Sequence, residues 1–169
     1  MSDQNKLIQE GDSYQELKSQ TSVGDILEMA CSFEQTAYTF YSSLFDKVDS
    51  RLRPLVQELA MEERSHFELF QGLGRHPHTL AHIADLIKTP PSHLRFSNYL
   101  QQPPQLAEFA SDQAILLYAI GREQAAMEQY SALAEETEGP LQDLFYYLAH
   151  EEFEHQQKLQ RRYEELVRQ

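Results

Sequence analysis

The chain has 169 residues, 41% hydrophobic and 24% charged, with 27 acidic against 14 basic side chains and a formal net charge of -13. At this length one core can form without disulfides or a structural metal, and the acidic balance argues against nucleic acid and anionic membrane surfaces as partners. The single cysteine, Cys31, excludes an internal disulfide.

The opening MSDQNKLIQEGD has neither the basic nor the apolar region of a secretory signal. No apolar run approaches the ~20 residues of a membrane span. A soluble, cytoplasmic protein is expected.

Residues 1–20 are polar and read as a tail. A first helix is expected from Thr21 or Ser22, either a suitable N-cap, to about Phe45, with Ala30, Glu34, Ala37, Tyr41 and Leu44 on one stripe. The link DKVDS is short, so the second helix should run antiparallel to the first. That helix should start near Asp49 or Ser50, take Pro54 in its opening turn and stop at Gly72–Gly74. Its inner face carries Leu59, Glu63, His66 and Phe70, spaced by four, three and four.

Residues 73–110 form a connector rich in Pro, His and polar side chains, with one short helical candidate around Leu80–Ile87. Ser111 should cap a third helix that runs to about Glu135, with Ala119, Glu123, Ala126, Tyr130 and Leu133 on a stripe. Gly139-Pro140 should open a fourth helix reaching about Val167, whose inner face carries Leu148, Glu152, His155 and Leu159. Almost nothing reads as strand. The expected architecture is all-α: a hairpin at 21–72, the connector 73–110 and a hairpin at 111–167, forming one four-helix bundle over 21–169. A helix of about 24 residues is ~36 Å long, and roughly 11 extended residues cover that distance. The connector can therefore return the chain in one long crossover between helices two and three.

The two hairpins are copies of one another. Shifting the chain by 89 positions lays Ile26–His66 over Ile115–His155 without a gap, with 16 of the 41 positions identical. Glu34, Glu63 and His66 coincide with Glu123, Glu152 and His155. A Glu-x-x-His pair therefore occurs twice on an apolar helix face, its Glu each time 29 residues after another Glu.

Four carboxylates and two imidazoles are thereby directed into one interior. Isolated buried charges cost several kcal/mol each and like charges repel. Protonation would relieve part of this, whereas two divalent cations would balance four negative charges outright. A Glu-x-x-His pair at i, i+3 offers two ligands from adjacent turns. Oxygen-rich ligation with one imidazole per ion suits iron or manganese.

On Glu34, Glu63, His66, Glu123, Glu152 and His155, set on two hairpins with a long crossover, the chain resembles the ferritin-like di-iron carboxylate superfamily. The stretches LAMEERSHFELF and LAHEEFEHQQKL look most like rubrerythrins. The resemblance spans about residues 22–165. It implies a ferritin-like four-helix bundle and two iron ions, with manganese as the alternative at one or both positions. It further implies Glu63 and Glu152 as bridging ligands, Glu34 and Glu123 as terminal carboxylates, and His66 and His155 as terminal imidazoles.

The implied activity is that of a rubrerythrin-like di-iron oxidoreductase reacting with hydrogen peroxide or dioxygen. The alternatives are a bacterioferritin-like ferroxidase or iron-handling protein, and a di-iron hydroxylase. Typical rubrerythrins carry a rubredoxin module with two Cys-x-x-Cys knuckles, which a chain with one cysteine lacks. Electrons should therefore come from an external donor. Rubrerythrins also usually add a second Glu three residues after the third-helix Glu, where this sequence has Ala126, leaving a symmetric six-ligand set. A homodimer through a bundle face is the default assembly.

Other residues read more plainly. Tyr41 and Tyr130 lie two turns from Glu34 and Glu123 and fit core tyrosines with satisfied hydroxyls, with contact to a ligand carboxylate as the alternative. Cys31 reads as an inert, buried thiol. His76, His78 and His82 read as solvated connector histidines. Glu62 and Glu151 turn about 100° away from the centre.

Overall fold

A computed structural model describes residues 23–75 and 111–168. Among these residues there are four helices and no strand: α1 (Val23–Leu44), α2 (Arg53–Arg75), α3 (Asp112–Glu135) and α4 (Gly139–Val167). The all-α class is as expected. The expected tail, the caps at Thr21 or Ser22, the histidines of the connector and its helical candidate lie outside the described residues. The chain divides into two compact units, Met1–Pro77 and His78–Gln169, and each holds one hairpin.

In the first unit, α1 buries Leu27, Ala30, Glu34, Ala37, Tyr41 and Leu44. The alternating spacing of three and four defines a single stripe that can face only one partner. On α2, Leu55, Leu59, Glu63, His66, Phe70 and Leu73 are buried in the same manner. Contact of Glu34 with His66 and of Cys31 with the Phe67 carbonyl shows that the helices run antiparallel.

The start of α2, at Arg53, falls three or four residues later than expected. Asp49 does not cap it: its Oδ1 accepts from the backbone N–H of Arg51 and from the Arg51 Nε–H, both at 3.0 Å. With that carboxylate spent on a local turn, the Leu52 carbonyl accepts the first helical bond, from Val56 N–H at 3.1 Å. Pro54 falls in the opening turn, where its missing N–H costs nothing.

Its end also differs. The helix runs through Gly72 and Gly74 to Arg75, so the hairpin extends beyond 72. A helical glycine costs about 1 kcal/mol relative to alanine but does not break the backbone pattern. Leu73, 6% exposed, holds that turn against the hairpin.

In the second unit the expected boundaries hold. The Ser111 side chain accepts from the Ala114 N–H at 3.2 Å, satisfying one of the orphan donors of the first turn. The link to α4 turns at Gly139, whose φ of 62° lies in the left-handed region, and Pro140 follows with φ already suited to a helix start. The Gln142 side chain closes the turn by donating to the Ala134 carbonyl at 2.9 Å. Antiparallel packing is fixed further in by Tyr130 stacked on Phe145, with ring centroids 6.0 Å apart.

Nothing lies within 4 Å of a Cβ built on Gly139. The effect of Gly139→Ala is therefore conformational alone, with an expected loss of about 1–2 kcal/mol, to be read as a lowered denaturation midpoint at unchanged slope. Among the described residues, no helix is long and apolar enough to cross a membrane.

Candidate metal centre

Each hairpin builds a half-site by itself. On α2, Glu63 and His66 are three residues apart, so both project from one face on adjacent turns. Antiparallel packing brings Glu34 of α1 to the same level. The His66 Nδ1 lies 3.4 Å from Glu34 Oε2 and 3.5 Å from Glu63 Oε2. All three residues are buried: Glu34 is 2%, Glu63 1% and His66 7% exposed.

The second hairpin repeats the arrangement. His155 Nδ1 lies 3.3 Å from Glu152 Oε2 on its own helix and 3.8 Å from Glu123 Oε2 on α3. Glu123, Glu152 and His155 are 2%, 2% and 1% exposed. Within each trio, one ligand atom per residue lies within 4.8 Å of the others. All six residues singled out in the sequence are therefore buried, three to each half-site.

The donor set fits a divalent ion. Two donors that each sit about 2.0–2.2 Å from one ion, at roughly 90–109° to one another, are about 2.8–3.6 Å apart. The first half-site falls in that range for both contacts of the imidazole. In the second, the Glu152 contact falls within it and the Glu123 contact just outside. Each trio also presents two carboxylates with one imidazole, and the two negative charges equal one divalent cation. A divalent cation is the simplest compensation for them in a buried site.

The electrostatics of His66 reflect this crowding. Burial alone would push its pKa down, but the charges and hydrogen bonding of Glu34 and then Glu63 more than reverse that, holding it well above the ordinary histidine value. Protonated His66 thus partly substitutes for a cation beside the carboxylates. A group whose folded pKa is raised contributes its stabilisation below the unfolded value of ~6.5 and loses it as pH rises through the folded value. A metal at this half-site must displace that proton. Mn(II) affinity, measured by calorimetric titration, is accordingly expected to fall on acidification below the raised pKa, by about tenfold per pH unit for each proton released. The trend should be weakened in His66→Gln.

Flanking residues take the plainer roles. Cys31, expected to be buried, is instead half-buried, and its Sγ lies 3.9 Å from the Phe67 carbonyl. Burial, then the charges of Glu34 and Glu28, push its thiol pKa up, so it stays protonated. Tyr41 and Tyr130 are core residues, 0% and 2% exposed, packed against Phe40 and Phe145 respectively. Glu62 and Glu151 are half-buried, beside rather than within the trios.

One buried acid escaped the sequence reading. Glu128 is 7% exposed, and its Oε1 accepts from the Gln124 Nε2 at 3.1 Å. It lies five residues, about 140° of helix, beyond Glu123, hence off the half-site stripe. The repeat gives no warning of it, because Thr39 occupies the matching position in α1.

A family model described as Rubrerythrin matches residues 25–117 and 114–169. No curated protein and no solved structure matches the chain. The two matches together take in both trios and nearly all of the four helices, and four helices without a strand among the described residues are consistent with a ferritin-like four-helix bundle. The chain belongs to the rubrerythrin family.

Proposed function

We propose that the two half-sites serve to hold two iron ions, and that the protein is a di-iron oxidoreductase consuming hydrogen peroxide or dioxygen with electrons from a separate donor. The observation that carries this reading is the duplicated buried trio, Glu34, Glu63 and His66 with Glu123, Glu152 and His155, in a member of the rubrerythrin family.

Iron bound there would supply reversible one-electron redox chemistry and coordination positions open to a small oxidant. Glu34, Glu63 and His66 would hold one ion, and Glu123, Glu152 and His155 the other. The i, i+3 pairing fixes each imidazole against its own carboxylate, so the ligands are set before any ion arrives. Leu59 and Phe70 on α2, and Leu148 and Leu159 on α4, are each 0 or 1% exposed. They keep bulk water from the carboxylates and strengthen every charge interaction among them.

The electrons of this reading come from a donor outside the two hairpins. The test is peroxide consumption by protein loaded anaerobically with Fe(II), in the presence of a small-molecule reductant. Catalytic turnover proportional to bound iron is expected. A single oxidation followed by iron uptake far beyond about two per chain would instead make ferrous iron the substrate and overturn the oxidoreductase reading.

A further inference from the structure

The repeat places unlike neighbours beside like ligands. One and two turns before Glu34, α1 carries Cys31 and Glu28, whereas the matching positions before Glu123 on α3 carry Ile120 and Leu117. Residues three apart are neighbours on a helix surface, so each trio lies at the foot of a short ladder. In the first hairpin that ladder runs from an exposed carboxylate past a half-buried thiol. In the second it runs from a leucine, 51% exposed, past a half-buried isoleucine.

The first ladder borders its half-site. Glu34 and Glu28 both lie close enough to Cys31 for their charges to push its thiol pKa up. The Cys31 Sγ meets the carbonyl of Phe67, the residue after His66, so the thiol stands level with the imidazole. His66 is itself the most exposed of the six trio residues, at 7% against 1% for His155. Farther along the same flank Tyr38 is 36% exposed, where the matching Met127 is 2% exposed. Arg64, which stands beside Tyr38, is paired with Glu68 at 2.9 Å, and that pairing offsets its repulsion of an approaching cation.

We propose that divalent cations enter by the first hairpin, along Glu28 and Cys31 to the trio of Glu34, Glu63 and His66, and that the second trio fills and empties more slowly. The inference rests on the reading that each trio holds a divalent ion. The exposed carboxylate of Glu28 raises the local concentration of cations. The thiol, kept protonated, lets them pass without capturing them as a thiolate would. Leu117 and Ile120 offer neither charge nor donor, so an ion taking that path sheds water against apolar side chains and waits on local opening of the hairpin.

Co(II) is the probe, because its visible absorbance reports binding without turnover. Rapid mixing of metal-free protein with excess Co(II) is expected to show two phases of equal ion number, the first faster by about tenfold or more. His66→Gln should remove the fast phase and His155→Gln the slow one. Glu28→Leu/Cys31→Ile, which gives the first hairpin the ladder of the second, should slow the fast phase toward the slow one at unchanged final occupancy. Should that variant unfold, Glu28→Gln alone is expected to lower the fast rate and to flatten its fall with added salt. Two ions arriving in one phase, a fast phase that survives His66→Gln, or a fast rate indifferent to the changes at 28 and 31 would overturn the inference and leave the di-metal reading standing. No ion on either trio at equilibrium would overturn both.

Discussion

Glu63→Ala combined with Glu152→Ala is expected to reduce bound iron from about two per chain to a small fraction of that after anaerobic Fe(II) loading and desalting. Each of these glutamates stands beside the histidine of its own helix, at 3.5 and 3.3 Å from the Nδ1. Their removal leaves each half-site one carboxylate and one imidazole, too few donors and too little charge to hold a divalent ion out of water. The loss should exceed the ~10–100-fold that removal of an outer-shell partner costs a metal site. Elemental analysis of wild type and variant gives the answer. Equal iron on both would remove the two residues from the site; none on either would leave a helical scaffold with buried, protonated carboxylates.

The second large effect is on stability, and its sign depends on metal. Free metal at about a thousand times the dissociation constant stabilises the native state by ~4 kcal/mol, which for a chain of this size raises the melting temperature by roughly 8–16 °C. Treatment with a chelator should therefore lower the melting temperature of the wild type by that amount. Glu63→Gln/Glu152→Gln keeps the shape of both side chains and removes two charges from a crowded interior. Without metal it should melt at or above the wild type, and added metal should barely move it. Calorimetry on four samples, each protein with and without metal, decides this. A wild type indifferent to chelation would sink the idea that the trios are organised around cations.

How much of this was legible beforehand depended on locality. The trios could be read because Glu-x-x-His is a short-range pattern and because the chain states it twice, so each copy validates the register of the other. Ser111 and Gly139-Pro140 were legible for the same reason, since capping and left-handed turns act over a few residues. The start of α2 was not, because Asp49 had two uses open to it and the turn with Arg51 prevailed over the cap. Gly72 and Gly74 misled because a glycine marks a helix end only when packing ceases there, and Leu73 keeps packing. Glu128 was invisible because burial on the far side of α3 is a tertiary property. No periodicity within α3 announces it, and the repeat, the strongest signal available, points to threonine.

The antiparallel hairpin carries a consequence for the order of events during synthesis. Within each copy, the ligands are separated along the chain by the same short distance, and contacts of low sequence separation form early and quickly. Glu34, Glu63 and His66 can thus come together while the later half of the chain is still unmade. A nascent chain would display one cation-seeking pocket before its twin exists, and the order in which the two ions arrive would be written into the direction of translation.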